Sequence, residues 1–304
     1  MTPATTEPAT TDPATTDPAT TDPAATGLAD PAEDEGDDEV EVWVIPTDQP
    51  PPLVAGLDRL LDPEERGRAR AATDPLRRQR FTVVHGVVRL LAARRLGLAP
   101  DELEWRRGPH GKPEPVGAGP GGLRLNYSAS GALALLVLAS GRRVGADVEE
   151  LPDERVATRV AGRYFPAEDA RSVTSAATPA ERSGRFTRLW CRREACVKVY
   201  GGRLVEGLRL PVGDPGPVWL PAAGVSCTVR AVPLPVGFPG FRAAVAVEGS
   251  RPVRLRQAAW SADAAVDRGS PRVRGDRRDG GDGGVGTGQA VHGRGSLQSC
   301  ELCN

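Results

Sequence analysis

Lysine is almost missing from this chain. Of 39 lysines and arginines in 304 residues, only Lys112 and Lys198 are lysines, which leaves 37 arginines. Where arginine serves nearly everywhere, a retained lysine marks a position that needs a compact ammonium rather than a planar guanidinium. Histidine is scarce too, at three residues, and none stands in the acidic motifs below to act as a base. No stretch reads as a serine nucleophile elbow or a glycine-rich phosphate loop. No run of roughly 18 apolar residues occurs, so no membrane-spanning helix is expected. A net charge of −1 leaves no overall field to draw nucleic acid or a membrane surface. Five cysteines lack disulfide-like spacing, and the polar, acidic N-terminus lacks the basic start and apolar run of a signal peptide. Both points favour a reduced, cytoplasmic setting.

What the chain has in quantity is glycine and proline, 36 and 29 residues, against a hydrophobic fraction of only 39%. That balance suggests a globular middle with disordered ends. Residues 1–38 carry an Ala-Thr-Thr-Asp-Pro repeat from Ala9 and an acidic run up to Asp38. Such a composition cannot bury a core, so a disordered tail is expected. Residues 251–304 read as a second tail, because the apolar pattern fades after Glu248. The Cys300-x-x-Cys303 pair within it is half a zinc site at best.

Between the tails, periodicity predicts an α+β fold. Glu39–Pro46 alternates as a strand with Val40, Val42 and Val44 on one face. Asp62-Pro63-Glu64-Glu65 opens a basic helix that carries Arg66, Arg68 and Arg70. Leu76–Leu96 is a longer helix with Arg77, Arg78, Arg80 and Arg89. These arginines suit a solvated face or a local anion site. Strands follow at Leu123–Ser128, Ala132–Ala139 and Val144–Leu151, then helices at Arg155–Phe165 and Ala167–Ser172. A helix over Arg185–Tyr200 ends at Gly201-Gly202. Four short strands, Leu208–Val212, Val218–Pro221, Val225–Leu234 and Phe241–Val247, complete the pattern. The middle divides into two similar α+β halves, 39–140 and 141–250.

Two constellations carry chemistry. Trp190, Glu194 and Lys198 stand at i, i+4 and i+8, on one helix face, with the Trp available as an anchor to a core. The spacing suits an ordinary surface ion pair first; it also allows a carboxylate and an ammonium holding a metal ion and an anionic ligand. On the third strand, Asp147 and Glu149 point to one side. They are either an exposed strand end or a site for a hard cation, Mg²⁺ above all. Three carboxylates with Lys and Arg around them suit group transfer at a diphosphate.

Gly145-Ala-Asp147-Val-Glu149, followed by Trp190-x-x-Arg193-Glu194-Ala195-x-x-Lys198, resembles the paired signature of the 4′-phosphopantetheinyl transferases of the surfactin-synthetase-activating type. Gly111-Lys112-Pro113, Asn126-Tyr-Ser128-Ala-Ser130-Gly131 and Arg163-Tyr-Phe165 resemble further family segments in the same order. The resemblance covers about residues 40–250. It implies a monomer of two α+β halves related by a pseudo-twofold, with coenzyme A in the cleft between them. The implied activity is that of a holo-[acyl-carrier-protein] synthase type enzyme. It moves phosphopantetheine from coenzyme A to a serine of an acyl or peptidyl carrier protein and releases adenosine 3′,5′-bisphosphate. By this resemblance Asp147, Glu149 and Glu194 bind Mg²⁺, Glu194 or a water it holds takes the serine proton, and Lys198 neutralises the phosphates. Lys112 and Ser128 contact the nucleotide end, and Arg68 and Arg80 are candidates for the 3′-phosphate. Fatty acid, polyketide, nonribosomal peptide and lysine pathways all remain open, with the helix bearing Arg77 and Arg78 as the expected carrier-docking surface. Two departures stand out. The family's phosphate-contacting His is Ala129 here, so either affinity for coenzyme A is weaker or a nearby Arg substitutes, and the family's Lys before the glutamate is Arg193, which keeps the charge. Ala129 supports an alternative, a non-catalytic relative that binds coenzyme A or a carrier domain.

Overall fold

Each of two long helices in this protein has 22 residues, and each is built around a buried arginine at the same position. The computed structural model describes residues 39–108, 111–117, 121–213 and 215–262. The tails expected at 1–38 and beyond residue 262 lie outside the described residues, as do Pro109, His110 and 118–120.

The first half begins with strand β1 (Glu39–Pro46), followed by helices α1 (Pro51–Asp58), α2 (Pro63–Ala71) and α3 (Pro75–Leu96). Asp62 caps α2 in a reciprocal capping box with Glu65, and Pro63 occupies the first turn, where its missing N–H costs nothing. Gly97 closes α3 in the left-handed conformation, φ 72°, which an L side chain rarely adopts. A small hairpin, β2 (Trp105–Arg107) with β3 (Pro113–Pro115), leads to β4 (Leu123–Ser130) and β5 (Leu133–Ser140). The second half repeats the order: β6 (Val144–Glu150), α4 (Glu154–Tyr164), α5 (Ala167–Thr174), α6 (Pro179–Tyr200) and a short α7 (Leu204–Gly207). Strands β7 (Pro217–Leu220), β8 (Val225–Ala231) and β9 (Phe241–Glu248) complete it.

The repetition extends to single residues. Val40 and Val144, Glu65 and Asp169, Arg89 and Arg193, and Gly97 and Gly201 are each 104 positions apart. In both halves the arginine is fully buried and bonded to the acidic residue of the preceding helix. At the same offset, Asp147 and Glu149 take the places of the apolar Trp43 and Ile45.

With a last strand, β10 (Arg254–Ala259), the order is β10-β1-β5-β4 in one sheet and β6-β9-β8-β7 in the other. Val40, Val42, Val44, Leu133 and Leu135 of the first sheet share a core with Val144, Ala146, Val148 and Val245 of the second. The outer face of the first sheet packs on α1 and α3, and that of the second on α4, α5 and α6. Helices therefore cover both outsides of two facing sheets, an α+β architecture in which alternate strand residues serve two cores. The described residues belong to one compact unit.

Four expectations change. Strand β10 (Arg254–Ala259) lies inside the span read as a tail and pairs in parallel with β1 from Glu39 to Val44. Its exposed, arginine-rich face hides the pattern. Helix α6 starts at Pro179, with a capping box of Thr178 and Glu181, and runs through Gly184, which packs beside Arg242. Leu208–Val212 is not a strand. Pro211 has no N–H for a ladder, and the carbonyls of Leu208 and Val212 accept from Arg193 and Arg192 instead. Strand β8 stops at Ala231, short of Leu234.

Candidate active site

Strand β6 can carry chemistry because α6 lies directly on it. A Cβ built on Gly145 would stand 2.0 Å from the backbone oxygen of Ala195, so any side chain there would push the helix off the strand. With the helix seated, Asp147 and Glu149 turn away from the inter-sheet core, and both are buried. Trp190 anchors the same helix in the core, its ring 5.5 Å from Phe186. The thiol of Cys191 shows how close the pieces are. Burial raises its pKa, and the charges of Asp147 and Glu149 raise it further.

At the centre, Lys198 Nζ donates to Asp147 Oδ1 at 2.7 Å and to Ser128 Oγ at 3.2 Å. Ser128 Oγ donates to the same Asp147 oxygen at 3.0 Å. Glu194 Oε2 is 4.0 Å from Lys198 Nζ, with side chains only 6% and 13% exposed. The surface-pair reading of Glu194 and Lys198 is therefore excluded, as is an exposed strand end for Asp147 and Glu149. A buried ion pair of this kind is no stability device in itself, since desolvation offsets the attraction. Strand β4 is stitched to β6 by side chains. Asn126 Oδ1 accepts from the Ala146 N–H at 2.8 Å, and Ser130 Oγ donates to Glu149 at 3.0 Å. The Asn-x-Ser-x-Ser segment thus aligns the two halves at the cluster.

Asp147 Oδ2 is buried without a hydrogen-bond partner. An orphaned carboxylate oxygen is costly and is normally satisfied by a donor, a water or an ion. The sequence expects Asp147, Glu149 and Glu194 around one ion. Among the described residues no three His, Cys, Asp or Glu side chains come close enough to hold one metal ion. The Lys198 ammonium stands among them, on Asp147 and toward Glu194.

The other predicted residues separate. Lys112 Nζ donates to the carbonyls of Val144 and Lys198, both at 2.9 Å, and to Val199 at 3.5 Å. It straps the end of α6 to β6 and lines a cavity of about 280 Å³ with Arg124, Arg143 and Tyr200. Arg68 lies over the Phe81 ring at 5.3 Å and lines a different cavity with Trp105, Arg107 and Tyr127. Arg80 is held by Asp48 at 2.8 Å, apart from Arg68 in its contacts. Arg193 does not bring its charge to the cluster. It points to the opposite side of α6, bonded to Asp169, to Leu208 O and to Leu189 O, with Phe165 3.8 Å away. Sequence reasoning missed Trp105, Arg107 and Cys191. The first two sit on a three-residue strand too short to show a pattern.

Lys112 gives a pH prediction. Burial pushes its pKa down to about 8, whereas an unfolded lysine holds its proton to about 10.4. Between these values the unfolded chain binds the extra proton, so stability rises with pH through that window and is flat below it with respect to this group. Urea midpoints of the wild type and Lys112→Met, taken from pH 7 to 10, should diverge in that sense. Parallel curves would mean that Lys112 titrates like an exposed lysine.

The family model for the 4′-phosphopantetheinyl transferase superfamily matches residues 143–214, from β6 through α6 and beyond. A Synechocystis protein named as a 4′-phosphopantetheinyl transferase is 30% identical over 174 residues, 57% of this chain and 70% of its own. The 4′-phosphopantetheinyl transferase HetI of Nostoc is 31% identical over 172 residues, 56% of this chain and 71% of its own. A phosphopantetheinyl transferase of Thraustochytrium is 30% identical over 183 residues, 56% of this chain and 64% of its own.

Proposed function

This chain belongs to the 4′-phosphopantetheinyl transferase superfamily, and from that premise we propose that it moves phosphopantetheine from coenzyme A to a serine of an acyl or peptidyl carrier protein. The observation that carries this reading is the Lys198–Asp147–Ser128 cluster, with Glu194 beside it and one aspartate oxygen unpaired. In the proposed step the serine oxygen forms a bond to the phosphorus that bears the pantetheine arm. The bond from that phosphorus to the bridging oxygen breaks, and adenosine 3′,5′-bisphosphate leaves with its charge on the terminal phosphate. Glu194, or a water it holds, takes the serine proton. Lys198 holds the developing negative charge, and Asp147 keeps its ammonium in place.

The donor set fits a hard divalent cation. Mg²⁺ takes one or two carboxylates and completes its shell with waters and substrate phosphates, so three protein ligands are not required. Asp147 through its unpaired oxygen and Glu149 beside it would hold the ion, with Glu194 at its edge. Bound there, Mg²⁺ would supply charge neutralisation at the diphosphate. No helix among the described residues is long and apolar enough to cross a membrane, and a cytoplasmic monomer is the form we propose. Ala129, in place of a family histidine, keeps the non-catalytic reading as the competitor.

Intact mass of an apo carrier protein, after incubation with the chain, coenzyme A and Mg²⁺, separates the two. The expected result is a gain of one phosphopantetheine that EDTA abolishes. Binding of coenzyme A without any gain, across carriers of several pathways, would instead identify the non-catalytic relative.

A further inference from the structure

Three cysteines stand among the described residues, all of them free and buried. Cys191 gives its thiol to the carbonyl of Arg242 at 3.2 Å, beside the cluster carboxylates. Cys196 and Cys227 instead meet each other. Cys227 of β8 donates to Cys196 of α6 with the sulfurs 3.3 Å apart, although 31 positions separate the residues in the chain. Both side chains lie in the core between the helices and the second sheet. A disulfide needs its sulfurs about 2.0 Å apart, so closing the pair takes a movement of roughly 1 Å. Rotations about the two Cα–Cβ bonds move the sulfurs on that scale. The pair has no part in the proposed transfer. Glu194 and Lys198 are each two residues from Cys196, which puts them about 160° away round the helix. Cys196 faces β8 while they face the cluster.

Closed, the pair is unreactive. The hydrogen bond with Cys227 and burial together hold the Cys196 thiol well above its ordinary range, so no thiolate is present to attack. Arg192 and Arg193 pull the other way, and once water relieves the burial their charge favours the thiolate. The cover is thin on one side. Strand β7 has four residues, lies at the edge of its sheet, and sets Val218 opposite Cys227. Pro217 and Pro221 at its ends offer no N–H to a ladder. A short edge strand opens at lower cost than the core.

We propose that Cys196 and Cys227 are a reversible redox pair, which hydrogen peroxide oxidises to a disulfide that staples α6 to β8. The Cys196 thiolate attacks the peroxide, the O–O bond breaks, sulfur keeps one oxygen as a sulfenic acid and water leaves. The Cys227 sulfur then attacks that sulfur, its proton leaves with the oxygen as a second water, and the S–S bond forms. Two electrons pass from the sulfurs to the peroxide. A thiol reductant returns both thiols, as suits a reducing compartment where disulfides are transient. The test treats the folded full chain with hydrogen peroxide, blocks the remaining thiols and digests it with trypsin. Cleavage after arginine and lysine places Cys191 in 189–192, Cys196 in 194–198 and Cys227 in 210–230. The expected product joins 194–198 to 210–230 with the loss of two hydrogens, and dithiothreitol should separate them. Bridging of Cys300 with Cys303 alone, or sulfinic acid on Cys196 or Cys227, overturns the proposal. So does equal oxidation of Cys191, which is as buried but bonds to a carbonyl. In Cys227→Ala the oxidation should stop at a sulfenic acid on Cys196, which dimedone captures. The oxidised wild type should also melt higher than the reduced form by roughly 5–15 °C, as for a closed loop of about thirty residues. Equal melting of the two forms overturns the staple.

Discussion

Glu194→Gln should fold normally and lose transfer by about a hundred- to ten-thousandfold, the range for removing a positioned general base. The substitution keeps the shape of the side chain. It also leaves the stronger contact of Lys198 untouched, because Asp147 Oδ1 at 2.7 Å, not Glu194 at 4.0 Å, holds the ammonium. Little stability should therefore be lost, and coenzyme A should still bind. What disappears is the proposed proton acceptor and one negative charge near the proposed ion. Single-turnover transfer to a carrier protein, with thermal unfolding as the folding control, measures both. A rate within a few-fold of the wild type would remove Glu194 from the mechanism and leave its burial without a chemical purpose.

Arg193→Met should cost about 3–5 kcal/mol of stability, the range for removing one partner of a buried ion pair. Arg193 is 0% exposed, and Asp169 is 5% exposed. Truncation strands the aspartate in the core and removes the donor to Leu208 O and Leu189 O. Phe165 loses the guanidinium stacked on it. At about 2–4 °C per kcal/mol for a domain of this size, the melting temperature should drop by roughly 6–20 °C. Arg193→Lys should recover only part of the loss, since an ammonium cannot reach Asp169 and Leu208 O together as a fork does. Combining Arg193→Met with Asp169→Leu should restore much of it, because an apolar replacement of both partners leaves no buried charge unpaired. A single-variant loss below about 1 kcal/mol would mean that water reaches Asp169. The same argument holds for Arg89 with Glu65, the equivalent pair of the first half.

Arg193 also marks where sequence reading reached its limit. In the motif it stands next to Glu194 and reads as a conservative change that keeps a charge at the site. Adjacent helix residues point about 100° apart, so the neighbour of Glu194 faces elsewhere. Lys112 teaches the same. Its scarcity was visible in composition, but its partners are carbonyls 32 and 86 positions away in the chain.

The sequence by itself determined the α+β class, the bounds of β1, the N-cap of α2, the glycine stop of α3, and the candidate residues Asp147, Glu194, Lys198 and Ser128. These follow from local rules: alternation, helix spacing, capping chemistry, and paired motifs that resemble a known family. Only the tertiary structure decided which of these groups touch. It placed Lys198 between Asp147 and Ser128, left one aspartate oxygen unpaired, and turned Arg193 into the core. It also brought Arg107 and Arg68 to the wall of one cavity, and gave β10 a partner in β1. Each depends on contacts between residues far apart in the chain. Those contacts are fixed by which faces are buried together, and no local periodicity encodes that.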